Sequence, residues 1–307
     1  MIAVSLQTLT KSFGDVCAVD SLTFDVSRGE LFGLVGPDGA GKTTTLRMLA
    51  GVARPTAGDA LVDGISVSQD PETVKHRIAY MSQRFGLYTD LTVRENIEFY
   101  ADLYAVPQSD RPPRIERLYE FSHLGPFEHR LAGNLSGGMK QKLSLCCALI
   151  HRPKIMLLDE PTFGVDPISR RDLWLIVHQM VSDGVTVIVS TAYLDEAERC
   201  DKVVLLDRGR ILALDSPRSI QQSIGDLLVL VTSAPRTARD IAGSVPGVTS
   251  SHLFGQTLHL TSPDPTSLPS TLAGPLREAG VEILSATVEP PSLEDAFIDL
   301  VGKHAGG

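Results

Sequence analysis

The sequence has no apolar run approaching the roughly 18–20 residues a spanning helix requires, and its start, MIAVSLQTLTKSFG, lacks the apolar segment of a signal peptide. Any association with a membrane is therefore expected to run through a partner. It also lacks basic excess. The net charge of −9 and pI near 5.4 oppose a sequence-independent nucleic-acid binder, which needs a basic face to neutralise phosphates. Cysteine is scarce and wrongly spaced for metal. The four residues Cys17, Cys146, Cys147 and Cys200 form neither C-x-x-C nor a His/Cys metal pattern. Adjacent Cys146 and Cys147 in an apolar stretch read as buried thiols in a reducing compartment. What the chain does have is globular substance. With 307 residues, 43% hydrophobic and 21% charged, it can bury a core, and its length favours two domains.

The opening alternates β-rich runs with turn signals at Phe13-Gly14-Asp15 and Arg28-Gly29-Glu30, as small antiparallel strands do. The pattern then becomes strand (LFGLVG), glycine-rich turn (PDGAGK) and helix (TTTLRMLAGV). Segments 76–81, 155–159, 185–191 and 202–206 are short apolar runs of buried-strand type separated by helix-length amphipathic stretches. An α/β domain with a largely parallel core is expected. Residues from Tyr88 to Phe127, interrupted at Arg111-Pro112-Pro113, read as helices projecting from that sheet, in an insertion of about 88–140.

Beyond Ser223 the elements run strand, helix, strand, strand, helix, strand, the ferredoxin-like order of a small α+β domain. A last short helix is expected from Ser292, with acidic residues in its first turn. The expected domains are 1–222 and 223–307.

Gly36-Pro37-Asp38-Gly39-Ala40-Gly41-Lys42-Thr43 matches G-x-x-x-x-G-K-[ST], preceded by a strand and followed by a helix that continues into Thr44. Glycines let backbone N–H groups converge on phosphate oxygens at a helix N-terminus. Lys42 adds a point charge for the β and γ phosphates, and the Thr43 hydroxyl is a ligand for Mg²⁺. Downstream, Asp159 closes the apolar run IMLLD and is the second candidate to hold Mg²⁺, directly or through water. Glu160 follows at once, in position to polarise an attacking water as general base. An acidic pair at a strand end is commonly only a cap, but the upstream cradle argues for chemistry.

The segment Leu135-Ser136-Gly137-Gly138-Met139-Lys140-Gln141, lying between the cradle and Asp159, resembles the signature of ABC ATPases. The resemblance covers about residues 2–220 and implies a P-loop ABC ATPase fold, with ATP and Mg²⁺ as cofactors. It implies further that Phe13 stacks on adenine, that Gln83 reaches Mg²⁺ and water, and that Gly164-Val165-Asp166-Pro167 crosses a dimer interface. By the same resemblance Ser136, Gly137 and Gly138 serve the γ-phosphate of a second nucleotide-binding domain, while Ser136 by itself also reads as an ordinary helix N-cap. The surface around Gln83, Phe85 and Tyr88 is expected to dock a helix of an integral-membrane permease. The tail PSLEDAFIDLVG resembles that of ATPases serving multidrug and polysaccharide-type exporters. An ATP-hydrolysing export subunit, peripheral on the cytoplasmic face of the plasma membrane, is what this implies.

One position departs from the family. VTVIVSTAYLDEAERC aligns with a strand and loop that end in Ser-Thr-His, yet here the residue is Ala192, and no histidine lies between His178 and His252. Slow turnover at the chain's own site is therefore expected, with a partner domain, as a separate subunit or the second half of a tandem chain, retaining the histidine. Two alternatives stand beside this reading: a soluble ABC ATPase acting on nucleic acid or ribosomes, and a largely non-hydrolytic regulatory module. The acidic charge and the short spacing from Gly36 to Ser136 weigh against the first; Ala192 makes the second conceivable.

Overall fold

Leu31–Val35 (β3) buries all five of its residues, so it has no face to offer water and must be covered on both sides. The computed structural model describes residues 1–83 and 86–305, and it sets β3 inside a six-stranded sheet. The other strands are Ile78–Met81 (β6), Ile155–Asp159 (β7), Thr186–Thr191 (β8), Lys202–Asp207 (β9) and Arg210–Asp215 (β10), in the order β10-β9-β3-β8-β7-β6. β6, β7, β8, β3 and β9 run parallel. Strands β7 and β8 are buried throughout, around the apolar runs Ile155–Leu158 and Val187–Val189.

A second, antiparallel sheet joins Ile2–Phe13 (β1), Val16–Ser27 (β2), Ala57–Val62 (β4) and Ile65–Ser66 (β5) in the order β2-β1-β4-β5. The alternation in FDVS and its neighbours along β2 gives that sheet one buried face. β4 and β5 come from chain beyond the glycine turn, so this sheet is not confined to the opening segment.

The helices of this part are Lys42–Leu49 (α1), Pro71–Lys75 (α2), Val93–Leu103 (α3), Arg111–Ser122 (α4), Gly137–Leu149 (α5), Pro167–Ser182 (α6) and Leu194–Ala197 (α7). α3 starts on a capping box: the Thr92 hydroxyl accepts from the Glu95 amide while the Glu95 side chain accepts from the Thr92 amide. Pro112 and Pro113 lie in the first turn of α4, where proline is tolerated because the first amides of a helix have no partner within it. α3, α4 and α5 share an apolar core that includes Ile97, Leu118, Leu143, Cys146 and Cys147. Burial there pushes the Cys146 thiol up to about 12 and raises that of Cys147.

The chain divides into two compact units, Met1–Ile211 and Leu212–Gly307. Pro217–Gln222 (α8) packs on the terminal helix Leu293–Ala305 (α11), which puts α8 in the second unit. The rest of that unit is Leu227–Thr232 (β11), Pro235–Ala242 (α9), Ser250–Phe254 (β12), Thr257–Thr261 (β13), Leu268–Glu278 (α10) and Ile283–Glu289 (β14). Its sheet is antiparallel, ordered β12-β13-β11-β14, which is the ferredoxin-like topology. Leu228, Leu230, Leu258 and Leu260 pack under α9 and α10 with Leu272 and Leu276. α11 begins where the acidic first turn predicts: the Asp295 amide donates to Ser292 Oγ at 3.1 Å, and the Ser292 amide donates to Asp295 Oδ2 at 2.9 Å. The edge strand β14 is exposed from Leu284 to Glu289. Among the described residues, no helix is long and apolar enough to cross a membrane.

Candidate functional site

β3 ends at Val35, and the chain turns through Gly36–Gly41 into α1. The turn needs glycine at Gly41, where φ is +96° and a Cβ would come within 2.5 Å of the Ala18 carbonyl oxygen. Lys42, the first residue of α1, is 4% exposed, and its ammonium donates to the carbonyls of Gly36 at 2.8 Å and Pro37 at 3.1 Å. Those bonds fold the side chain back over the turn, which aims its charge at the space that the loop encloses.

The parallel pairing of β7 with β8, in which Asp159 is opposite Ser190, brings the acidic pair to the same end of the sheet. Asp159 is 1% exposed and is held by three hydroxyls. Ser190 Oγ donates to Oδ1 at 2.8 Å, Thr43 Oγ1 to Oδ1 at 2.9 Å, and Tyr80 OH to Oδ2 at 3.2 Å. Burial, with the Asp159 charge next, pushes the Tyr80 phenol up to about 12, so it stays a donor at neutral pH. Glu160 has φ +47°, a left-handed conformation uncommon outside glycine, and its amide donates to Ser190 Oγ at 3.0 Å. That conformation turns its carboxylate to Lys42 Nζ, 3.2 Å away, and to Gln83 Nε2, 2.7 Å away. Gln83 thus reaches Glu160, the expected base.

The structure brings Lys42, Thr43, Gln83, Asp159 and Glu160 into one hydrogen-bonded group. Phe13 stands apart at the end of β1, 57% exposed, with Lys11 Nζ 5.0 Å from its ring centroid. Ser136 is the N-cap of α5, accepting from the Met139 amide at 3.3 Å. Its neighbour Gly138 must be small: a Cβ there would lie 2.3 Å from the Ser169 side chain. The signature therefore sits against the start of α6, next to the loop that follows Glu160. Ala192 is exposed immediately after buried Thr191 and carries no polar side-chain atom. Phe85 lies outside the described residues; Tyr88, 46% exposed, meets Phe99 edge-on at 4.6 Å.

Thr43 and Asp159 together offer hard oxygen donors that suit Mg²⁺, an ion that commonly takes only one or two protein ligands and completes its shell from phosphates and water. Among the described residues, no group of three or more His, Cys, Asp or Glu side chains is placed to hold a metal ion. Tyr80 and Ser190 were not among the expected site residues. Ser190 had a signal, being half of the polar Ser190-Thr191 step that closes an apolar strand; Tyr80 had none, since it reaches Asp159 only through the β6–β7 pairing.

A buried parallel strand feeding a glycine turn, with Lys42 folded over it and a satisfied Asp159 behind, defines a P-loop nucleotide-binding domain. Comparison narrows this. The ABC transporter family profile matches residues 19–163. The chain is 43% identical over 310 residues to the "Probable multidrug ABC transporter ATP-binding protein YbhF" of Escherichia coli (strain K12), covering 97% of this chain and 52% of that protein. It is 36% identical over 306 residues to the "Nod factor export ATP-binding protein I" of Rhizobium sp. (strain N33), covering 99% and 98%. The chain thus spans about half the length of the first relative and nearly all of the second. Among solved structures, an ATP-binding subunit of an ABC transporter superposes with TM-score 0.67 at 29% identity over 73% of this chain and 94% of that one. A dimeric ATP-binding cassette in a post-hydrolysis state bound to ADP and Pi superposes with TM-score 0.64 at 25% identity over 69% and 98%. The chain belongs to the family of ABC transporter ATP-binding proteins.

Proposed function

We propose that this chain is the ATP-binding and ATP-hydrolysing subunit of an ABC exporter, working with a second nucleotide-binding domain and a separate integral-membrane permease. The observation that carries the reading is the joining of Lys42, Gln83 and the Asp159-Glu160 pair at the end of the parallel strands, beside Thr43. Lys42 holds the β and γ phosphates over the backbone amides of Pro37–Thr44. Thr43, Asp159 and Gln83 would hold Mg²⁺, whose charge would offset that of the phosphates. Glu160, kept in place by Lys42 and Gln83, accepts a proton from the attacking water. Phe13 stacks on the adenine. Ser136, Gly137 and Gly138 face the nucleotide of the partner domain, since the start of α5 lies against the Gly164–Asp166 loop that this reading assigns to the dimer interface.

The domain reading follows the same division of labour: residues 1–222 carry the nucleotide chemistry, with the helical insertion at about 88–140, and 223–307 form an accessory domain, although residues 212–222, α8 among them, fall in the second compact unit. Aromatic and apolar groups on the insertion, Tyr88, Phe99 and Leu103, are exposed and suit a permease helix. The subunit is then peripheral, on the cytoplasmic face of the plasma membrane. The names of its relatives, multidrug and Nod factor export proteins, support export over the nucleic-acid or ribosome alternative. Ala192 leaves the chain's own site short of one γ-phosphate donor, so turnover there is slow and a partner domain that keeps a histidine carries most of the hydrolysis.

Purification of the tagged chain from membranes, followed by ATP titration and phosphate release, tests the reading. The expected result is a co-purifying permease and nucleotide binding that is lost in Lys42→Ala. Recovery with ribosomes or nucleic acid, or ATP binding indifferent to Lys42→Ala, would overturn it.

A further inference from the structure

Glu196 is wholly buried, yet it lies on the four-residue α7, just past Ala192. Its Oε2 accepts from two hydroxyls of different segments, Thr191 Oγ1 at 2.8 Å and Thr162 Oγ1 at 2.9 Å. Thr191 is the last residue of β8. Thr162 is 2% exposed and belongs to the turn between Glu160 and Gly164. The other oxygen, Oε1, accepts no hydrogen bond and lies 3.5 Å from the Nε of Arg170, itself buried and without a hydrogen bond, in α6. The Arg170 guanidinium also covers the Tyr193 ring, 4.6 Å from its centroid, and the Tyr193 amide donates to Thr191 Oγ1 at 3.0 Å.

A carboxylate removed from water is tolerated only where charge and hydrogen bonds replace its solvation. Apolar side chains would fill this space more cheaply, so the arrangement calls for a use. The three groups that face the Glu196 carboxylate come from the end of β8 (Thr191), from the turn that follows the acidic pair (Thr162) and from α6, the helix that this turn enters (Arg170). The carboxylate is thus the one group that touches Thr162, Arg170 and Thr191 together.

We propose that Glu196 is a positioning residue for ATP hydrolysis. Through Thr162 and Arg170 it holds the Glu160–Asp166 turn, and through Thr191 it holds the end of β8, so that the two loops beside the γ-phosphate move as one body. The proposal rests on the ATPase reading above. It also gives Ala192 a fixed backbone position that does not depend on its own side chain.

The test uses the full chain with Glu196→Ala, Glu196→Gln and Thr191→Val, measured for ATP affinity, steady-state hydrolysis, thermal unfolding and amide exchange without nucleotide. Misplacement of reacting groups by a fraction of an ångström to an ångström costs on the order of tenfold to a hundredfold. Glu196→Ala is therefore expected to lower kcat about tenfold or more with ATP affinity unchanged. Glu196→Gln keeps an oxygen for both hydroxyls and is expected to restore most of that loss. Amides from Thr162 to Asp166 are expected to exchange faster in Glu196→Ala and in Thr191→Val, although Thr191 is in another segment. Unchanged exchange in that turn in both variants overturns the proposal. So does a loss of ATP affinity and unfolding temperature in step with kcat, which would mark Glu196 as structural only. Failure of the unmodified chain to bind ATP would count against the ATPase reading instead, and the exchange result would still decide whether the loops are coupled.

Discussion

β7 and β8 are neighbours in the same sheet, both fully buried, paired in parallel and ending beside the same glycine turn. Their ends differ. β7 delivers a carboxylate satisfied by three hydroxyls and then Glu160 in a left-handed turn against Lys42. β8 delivers Ser190, which donates to Asp159, then Thr191, which donates to Glu196 just beyond the strand, and then Ala192, which supports nothing by side chain. Strand geometry is therefore the same whether the residue past the strand end carries a reacting group or a methyl. Scaffold and chemistry are separable at the level of a single residue past a strand end.

The comparison breaks most directly at Glu160. A general base typically contributes on the order of 10²–10⁴ in rate, so Glu160→Gln is expected to end measurable phosphate release while ATP binding persists. Quenched-flow or steady-state phosphate assays against nucleotide titration check this. Restoring the imbalance on the β8 side should act in the opposite direction. Ala192→His is expected to raise hydrolysis by up to about 10²–10³, the usual value of one preorganised donor. An unmodified chain already as fast as its histidine variant would sink the account of a weakened site.

Binding of the base should be independent of both strand ends. Loss of aromatic stacking costs ~1–3 kcal/mol by analogy with base–aromatic contacts, so Phe13→Ala is expected to weaken ATP affinity about tenfold while kcat at saturation stays the same. A competition titration with ATP and inorganic triphosphate sharpens it, because triphosphate affinity should not respond.

The smallest effect is expected at Tyr80, which donates one neutral hydrogen bond to Asp159. Removing it in Tyr80→Phe should cost ~1 kcal/mol and weaken Mg²⁺-dependent ATP binding a few-fold. Its pH signature has a definite sign. An unfolded tyrosine loses its proton near pH ~10, whereas native Tyr80 keeps it to about 12. Between those values the folded chain binds more protons, so stability falls as pH rises. Urea midpoints of Tyr80→Phe should decline less steeply there.

Much of this was legible in sequence where the groups are contiguous. The cradle, the signature and the acidic pair are each written in a few adjacent residues, and the β-α-β-β-α-β order of the second unit follows from alternating runs and turn signals. Groups assembled by sheet pairing were not legible. Tyr80 and Ser190 reach Asp159 from 79 and 31 positions away, and only the β6–β7–β8 pairing makes them neighbours. Thr162, Arg170 and Glu196 were silent for the same reason, and the acid in particular reads as an ordinary solvated residue of a short polar stretch. The first antiparallel sheet was legible only in part, since its β4 and β5 strands arrive after α1 and carry no hairpin signal linking them to β1.

The edge strand β14 has a practical bearing on how the chain behaves in a test tube. Leu284 is 59% exposed and Val288 42%, on a strand whose outer backbone groups have no neighbour in the β12-β13-β11-β14 sheet. Such an edge is a template for strands from other molecules. Strand-to-strand association through this edge is then expected to appear first as the chain is concentrated, and Ala286→Lys is expected to keep such samples monodisperse.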